Sequence, residues 1–424
     1  MSTSSKHRLT VEILAGMGIG VATGLLLNFL IHKVGGGFAQ FLLDYGVEGV
    51  FKLLGQAFLA LLQVIVVPLV FVSLASGTAA LEDIRKLGRI GVRTIALYLA
   101  TTAIAISLAL TAAVLVGPGR GFGLETTAEF EPAVPPSFVE VLIQIFPKNV
   151  VHAMAEGNML QIIVFAILFG LALTLSGKPG ARVLSVLNDL NETILNLVWI
   201  VMKLAPYGVF ALIARTFSTQ GFEAFGPLLK YFFLVLAVLF FHALVTYPAI
   251  LRFLAGLSPL PFLRKLRDVQ VFAFSTASSN ATIPVTLSTV EKKLGVHNSV
   301  ASFTVPLGAT INMDGTAIMQ GVATVFIAQA YTMGLDLTDY LMVVATATLA
   351  SIGTAGVPGV GLIMLSMVLT QVGLPVEGIG LIIGIDRLLD MVRTAVNVTG
   401  DSAISCIVAR SEKELDLSVY QTKD

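Results

Sequence analysis

Asp386, Asp390, Arg393, Asn397 and Asp401 follow one another at offsets of four, three, four and four inside an otherwise apolar stretch, 375–409. At about 100° per residue an α-helix gathers all five onto a stripe roughly 60–80° wide, facing one polar cavity. A charge at the centre of a bilayer costs at least ~2.5 kcal/mol, so such a register marks a functional site. The structural alternative is an ion-pair ladder, Asp386–Arg393 or Asp390–Arg393, which leaves the broken segments nearby unexplained. Arg393 suits a carboxylate, because a planar guanidinium donates two parallel hydrogen bonds and stays charged out of water. Asp390, one turn away, suits an ammonium. A ligand with an ammonium and an additional carboxylate is an acidic amino acid. Its second carboxylate fits N–H groups and hydroxyls around Ser278, Ser279, Gly356 and Val357, with Thr316 and Asn397 as polar partners.

Asp314 and Asp401 have no obvious basic partner, and each lies beside a Gly and near an Asn that leave backbone carbonyls free. Hard oxygen ligands suit an alkali cation, and neither site offers the His or Cys that a transition metal would select. The alternative is that both carboxylates cap broken helix ends. The single cysteine, Cys406, reads as a small buried residue. The five histidines are scattered without ligand spacing, and no Gly-Lys phosphate loop occurs. A nucleophile–base pair is also missing, so an ATP-driven pump, a zinc hydrolase and an enzyme generally are disfavoured.

The elements that must position these residues lie in lipid. Of 424 residues 56% are hydrophobic and 12% charged, with a mean hydropathy of +0.89 and zero formal net charge, more apolar side chain than a water-soluble core buries. Stretches 11–31, 47–75, 94–117, 151–175, 190–214 and 227–251 each reach the roughly 20 residues a spanning helix needs. The first is too long for a cleaved leader and stays as a helix. Basic residues collect in alternate connections: Lys6 and Arg8; Arg85, Lys86, Arg89 and Arg93; Lys178 and Arg182; Arg252, Arg264, Lys265 and Arg267. These ends face the cytoplasm, and with them both termini. The Pro-rich, acidic 118–148 stretch reads as an extracytoplasmic loop.

After residue 268 the apolar segments are interrupted. Ser275–Pro284 and Ser351–Gly359 read as tips of re-entrant hairpins, each followed by a helix with its own polar break, Asn312–Thr316 and Asn397–Asp401. Irregular backbone at membrane depth is tolerated only within protein or beside a water-filled cavity. Paired interruptions of this kind point to a transporter's midplane site.

At these residues the chain resembles the glutamate transporter family, the dicarboxylate/amino acid:cation symporters, over nearly its whole length. The resemblance rests on Pro306–Thr316, containing Asn312-Met313-Asp314-Gly315-Thr316, on Ala350–Gly359, and on Asp390–Thr394 continuing to Asn397–Asp401. It implies an all-α integral membrane protein with eight transmembrane helices and two re-entrant hairpins, assembled as a homotrimer in the cell (inner) membrane. A scaffold from 1–75 (spans one and two) and 151–220 (spans four and five) would stay fixed. A transport domain from 76–117 (span three) and 221–424 (span six, hairpin 268–293, span seven 298–333, hairpin 338–373, span eight 375–410) would slide as an elevator; 118–150 would be the outer loop. The family's pattern gives Arg393 the substrate's side-chain carboxylate and Asp390 its ammonium, with Thr316, Thr394, Asn397, Ser278, Ser279, Gly356 and Val357 completing the pocket. For Na+ it implies one site from the Gly308, Asn312 and Asn397 carbonyls with the Asp401 carboxylate, a second from Thr310 with the Ser351, Ile352 and Thr354 carbonyls, and a third from Tyr98, Thr101, Thr102, Asn312 and Asp314. The 351–359 hairpin would be the outer gate.

The chain departs from the family's pattern in three places. The first hairpin reads Ser278-Ser279-Asn280 where many relatives have a third serine. An arginine found in that hairpin, or after the binding aspartate, in other branches is replaced by Ala277 and Met391; Arg387 stands in for both and is expected to pair with Asp390 between substrate visits, tuning release. Gln320 occupies the place of a proton-linked glutamate, so proton cotransport by that route is not expected. The family resemblance thus favours import of aspartate or glutamate on a Na+ gradient. Three Na+ with one monoanion carry two net charges inward, so 100 mV contributes roughly 4–5 kcal/mol and uptake responds to voltage. The alternatives are a proton-coupled glutamate/aspartate symporter or a C4-dicarboxylate symporter, with a substrate-gated anion conductance as a secondary activity.

Overall fold

Apolar runs without strand-like alternation fold as helices, and no strand occurs among the described residues beyond one isolated bridge, Val296–Leu415. The computed structural model describes residues 3–34, 36–79, 84–124, 146–351, 356 and 359–422. The acidic residues of the outer loop between 125 and 145 lie outside that set. Three helical stretches among the described residues, Val11–Val34, Ile90–Val116 and Phe225–Ala255, are long and apolar enough to cross a bilayer.

Helix α1 (Thr3–Val34) is followed by a π-helical stretch, Leu42–Phe51, that runs into α2 (Lys52–Ala79). Then come α3 (Ile84–Val116), α4 (Met159–Leu175), α5 (Lys178–Met202) and α6 (Ala205–Gln220). The stretch expected to span from 190 to 214 is broken, since α5 ends at Met202 and α6 starts three residues later, with Pro206 in its first turn, where a missing N–H costs nothing. Gly16, Gly20 and Gly24 form a small-residue stripe on α1. A Cβ there would lie 2.5 Å from the carbonyl oxygen of Pro206, 2.8 Å from that of Phe210 and 2.6 Å from that of Ala214. The stripe lets α1 and α6 lie backbone to backbone, the most extensive helix contact in the chain.

Span six is α7 (Phe225–Phe241) and α8 (Tyr247–Ala255) joined by a π-helical turn, His242–Thr246. After α9 (Pro259–Lys265), α10 (Arg267–Thr276) and α11 (Ser279–Lys292) pack together around Ala277, which has φ 46°, and Ser278, whose side chain caps α11. Span seven is broken as expected, α12 (Asn298–Ile311) stopping before α13 (Asp314–Ala330). The second hairpin is α14 (Leu337–Ser351) and α15 (Val360–Gln371). Span eight, α16 (Ile379–Ser411), corrects the sequence reading, for it runs unbroken through Asn397–Asp401. One Gly costs a helix about 1 kcal/mol, and here Thr399, Ser402 and Ser405 return their hydroxyls to the carbonyls of Ala395, Val398 and Asp401, so the polar residues need no break.

A short helix, α17 (Leu417–Gln421), closes the chain. The Ser418 hydroxyl and the N–H groups of Val419 and Ser418 hold the Asp416 carboxyl at its start below the usual aspartate range. Buried Lys265 donates to the carbonyls of Lys293 (2.9 Å), Val419 (2.7 Å) and Tyr420 (3.1 Å), so the ammonium caps the C-terminal ends of both α11 and α17.

Candidate functional site

The polar stripe of α16 points inward: Asp386, Asp390, Arg393, Asn397 and Asp401 are all buried. Arg393 donates through Nη1 to Asp386 Oδ1 (2.7 Å) and through Nη2 to Asp386 Oδ2 (3.2 Å) and Asp390 Oδ1 (2.8 Å). Asp390 Oδ2 accepts from Arg387 Nη1 and from the Gly359 N–H, both at 3.3 Å. The ladder named as the structural alternative is therefore formed, as is the expected Arg387–Asp390 pair. Two arginines and two aspartates make the group neutral overall, so it closes without a ligand. It does not satisfy every donor, because Arg393 Nε is buried without a partner. Ser279 and Thr316 are buried too, and their hydroxyls make no hydrogen bond among the described residues. Thr394 returns its hydroxyl to the Asp390 carbonyl (2.8 Å).

Gly356 meets the start of α11. The Gly356 carbonyl accepts from Ser278 Oγ (2.6 Å) and from the Asn280 N–H (3.2 Å), both at the first turn of α11. A Cβ at Gly356 would sit 2.8 Å from Asn280 Oδ1 and 2.9 Å from the Ala309 carbonyl oxygen, so only glycine lets the two approach this closely. Val357 lies outside the described residues, as do Ile352 and Thr354. Thr310 returns its hydroxyl to the Leu307 carbonyl and Ser351 returns its own to the Thr348 carbonyl, while the Ile352 and Thr354 carbonyls expected in the second Na+ group lie outside the described residues.

The other two groups merge into one buried oxygen cluster at the α12–α13 break. Asn312 donates through Nδ2 to Asp401 Oδ1 (3.0 Å), while Thr101 lies 3.3 Å from Asn312 Oδ1 and Thr102 2.5 Å from Asp314 Oδ1. Tyr98 donates to the Thr304 carbonyl (2.8 Å). A Cβ at Gly308 would collide with the Asp401 carboxylate, so this glycine keeps the cluster open. Asn397 Oδ1 accepts the Gly315 N–H (2.7 Å) and its Nδ2 reaches Met313 Sδ (3.2 Å), so its side chain braces the break next to Thr316. Asp314 and Asp401 are buried, and no Lys or Arg pairs with either among the described residues. Two buried carboxylates without a cationic partner cost several kcal/mol each unless a cation or a proton joins them.

Sequence reasoning missed His242 and Tyr247. Both are fully buried and both reach Asp314 Oδ2, at 3.1 Å and 2.8 Å. The available signal was the cost of an imidazole in the apolar 227–251 stretch, which scattered spacing does not cancel.

Residues 9–411 match the Sodium:dicarboxylate symporter family. The chain is 36% identical over 423 residues to the proton/glutamate-aspartate symporter of Escherichia coli K12, covering 97% of this chain and 94% of that protein. It is 35% identical over 409 residues, 94% of each chain, to the proton/sodium-glutamate symport protein of Bacillus caldotenax. A C4-dicarboxylate transport protein of Rhizobium leguminosarum bv. trifolii is 33% identical over 417 residues, 96% of this chain and 90% of that one.

Proposed function

The chain belongs to the sodium:dicarboxylate symporter family, a family of membrane transporters and not of enzymes, and on that premise we propose that it imports L-aspartate or L-glutamate together with Na+. The observation that carries this reading is the juxtaposition on α16 of a self-neutral Arg393–Asp390 pair with a carboxylate cluster that lacks a cation. An acidic amino acid inserts into the pair with its charges matched, its side-chain carboxylate on Arg393 and its ammonium on Asp390. Its other carboxylate takes the Ser278–Asn280 turn in place of the Gly356 carbonyl, with the unpartnered Ser279 and Thr316 hydroxyls alongside. The oxygens of Thr101, Thr102, Asn312, Asp314 and Asp401 hold Na+, a hard cation that binds oxygen alone. Three Na+ per substrate remains the stoichiometry of this reading.

The packing supports an elevator. Helices α1, α2, α4, α5 and α6 contact mostly one another, as do α3, α7 and α10–α16, with thinner contacts between the two sets. The first set is the scaffold and the second the transport domain. Helix α5 presents Asn188, Asp189, Glu192 and Asn196 outward, polar groups that lipid disfavours and a neighbouring protomer of a homotrimer covers. The protein sits in the inner membrane with both termini cytoplasmic.

Purified protein in liposomes, given labelled aspartate with an inward Na+ or choline gradient at one fixed pH, tests the reading. Accumulation only with Na+ supports it. Equal accumulation in choline, abolished by collapsing a proton gradient, favours the second reading, proton coupling, which the name of the Escherichia coli relative motivates. Succinate taken up in preference to aspartate would assign a C4-dicarboxylate carrier, as in the Rhizobium relative.

A further inference from the structure

We propose that His242 and Tyr247 form a positioning clamp that fixes one oxygen of Asp314 and thereby reserves the other for the coupling cation; the proposal rests on the Na+ reading above.

The clamp depends on an irregularity in span six. His242 and Tyr247 are five residues apart, about 140° round the axis of a regular α-helix, and would face different neighbours. Between them the helix widens into a π-turn, in which the Tyr247 N–H donates to the His242 carbonyl. An i→i+5 turn of this kind brings the two side chains onto one face, and such turns occur mostly where function demands them. The imidazole and the phenol ring meet edge to face, centroids 4.5 Å apart at 69°. His242 Nε2 and Tyr247 Oη both reach Asp314 Oδ2, while His242 Nδ1 has no partner among the described residues. Space for the phenol comes from α16, where a Cβ at Gly400 would collide with the Tyr247 hydroxyl.

The carboxylate is thus split. Oδ2 is occupied by two donors from one helix, and Oδ1 faces α3. On that side the single proton of Thr102 has two acceptors in reach, Asp314 Oδ1 at 2.5 Å and the Tyr98 carbonyl at 2.9 Å. Thr101 has the same choice between Asn312 Oδ1 at 3.3 Å and the Tyr98 carbonyl at 3.0 Å. When a cation sits on Asp314 Oδ1 and Asn312 Oδ1, both protons turn to Tyr98, and both hydroxyls offer lone pairs. This exchange works only while Asp314 cannot rotate, and the clamp prevents that rotation. Outer partners of this sort typically change metal affinity by about 10- to 100-fold when removed.

The experiment is a Na+ titration of aspartate uptake in liposomes for the wild type, Tyr247→Phe, His242→Leu, His242→Gln and Gly400→Ala, with folding checked by size exclusion and thermal unfolding with and without Na+. Tyr247→Phe and His242→Leu are expected to raise the Na+ concentration for half-maximal uptake by about 10- to 100-fold each, with the rate at saturating Na+ falling far less. Gly400→Ala, whose methyl would press on the Tyr247 hydroxyl and on Asn312 Nδ2 together, moves in the same direction without separating the two. His242→Gln, which keeps an N–H donor, recovers most of the loss caused by His242→Leu. Unchanged Na+ titrations in folded Tyr247→Phe and His242→Leu overturn the clamp. So does a loss confined to the maximal rate that His242→Gln shares, since that is the mark of a merely structural role. A wild type indifferent to Na+ removes the reading beneath the proposal and the clamp with it, whereas a Na+-dependent wild type with unmoved variants removes the clamp alone.

Discussion

Asp390→Asn separates an amino-acid carrier from a dicarboxylate carrier at one atom. Asp390 lies 2.8 Å from Arg393 Nη2 and 3.3 Å from Arg387 Nη1 and the Gly359 N–H. In the proposed reading the substrate ammonium finds its counter-charge on this carboxylate. Unit charges about 4 Å apart at an effective dielectric of about 20 interact by about 4 kcal/mol, and losing one partner of a desolvated pair costs about 2–5 kcal/mol. With part of the interaction surviving as a neutral hydrogen bond to Asn, aspartate should bind about 2–4 kcal/mol more weakly, or about 30- to 700-fold. Succinate has no ammonium. In the variant it meets an Arg393 opposed by Asp386 alone, so it should bind as well as before or better. Any loss of stability from leaving Arg387 less compensated is common to both ligands and cancels in their ratio. The assay is competition by aspartate and succinate against labelled substrate at saturating Na+, in wild type and Asp390→Asn. A variant that keeps the wild-type aspartate-to-succinate ratio would refute the assignment of the ammonium to Asp390.

In the proposed reading Arg387 competes with the ammonium for Asp390 Oδ2 across a largely buried pair; Arg387→Ala should then tighten aspartate binding a few-fold and slow its release, and unchanged affinity and turnover would remove that role. Gly308→Ala would press a methyl against the Asp401 carboxylate and to 2.7 Å from the Tyr98 hydroxyl, raising the Na+ needed for half-maximal uptake at least ~10-fold; an unmoved Na+ titration would place the cation elsewhere. Lys265→Met strands three carbonyls at about 1–3 kcal/mol apiece, less the ammonium's own desolvation. Amide exchange over 415–421 should quicken at least ~10-fold while the Na+ titration stays put, and wild-type exchange rates there would deny Lys265 the capping role.

The membrane class, the helix breaks at 277–278 and 312–313 and the inward face of α16 were legible because each has a local signature: apolar length, Ser/Thr/Asn interruption, or a polar register of three and four. The unbroken course of α16 was not, since Gly400 looks like a breaker until Thr399, Ser402 and Ser405 are seen bonding to their own helix. The α5–α6 break was hidden because apolar residues flank it on both sides. The hold of the Asn397 amide on the backbone at Met313–Gly315 was not legible, because its partners lie far away along the chain. His242 required a partner 72 residues away and a π-turn, neither of which has a periodicity to read. The glycine stripe 16-20-24 was visible as a spacing, and only the facing helix shows what it packs against.

Why cation and substrate should depend on one another follows from the charges on the two clusters. Around Arg393, two cations and two anions close on themselves, and substrate entry exchanges one matched pair for another. Around Asp314 and Asp401, two carboxylates face hydroxyls, an amide and an imidazole, and in the proposed reading a cation completes that cluster. Asn397 lies one turn from Arg393 and one turn from Asp401 on a rigid helix, and its amide grips the break that holds Asp314. A cation that tightens the break therefore stiffens the same turn of α16 that presents Arg393. In this reading substrate affinity rises with Na+ through the backbone that both sites share, and no direct contact between ion and substrate is required.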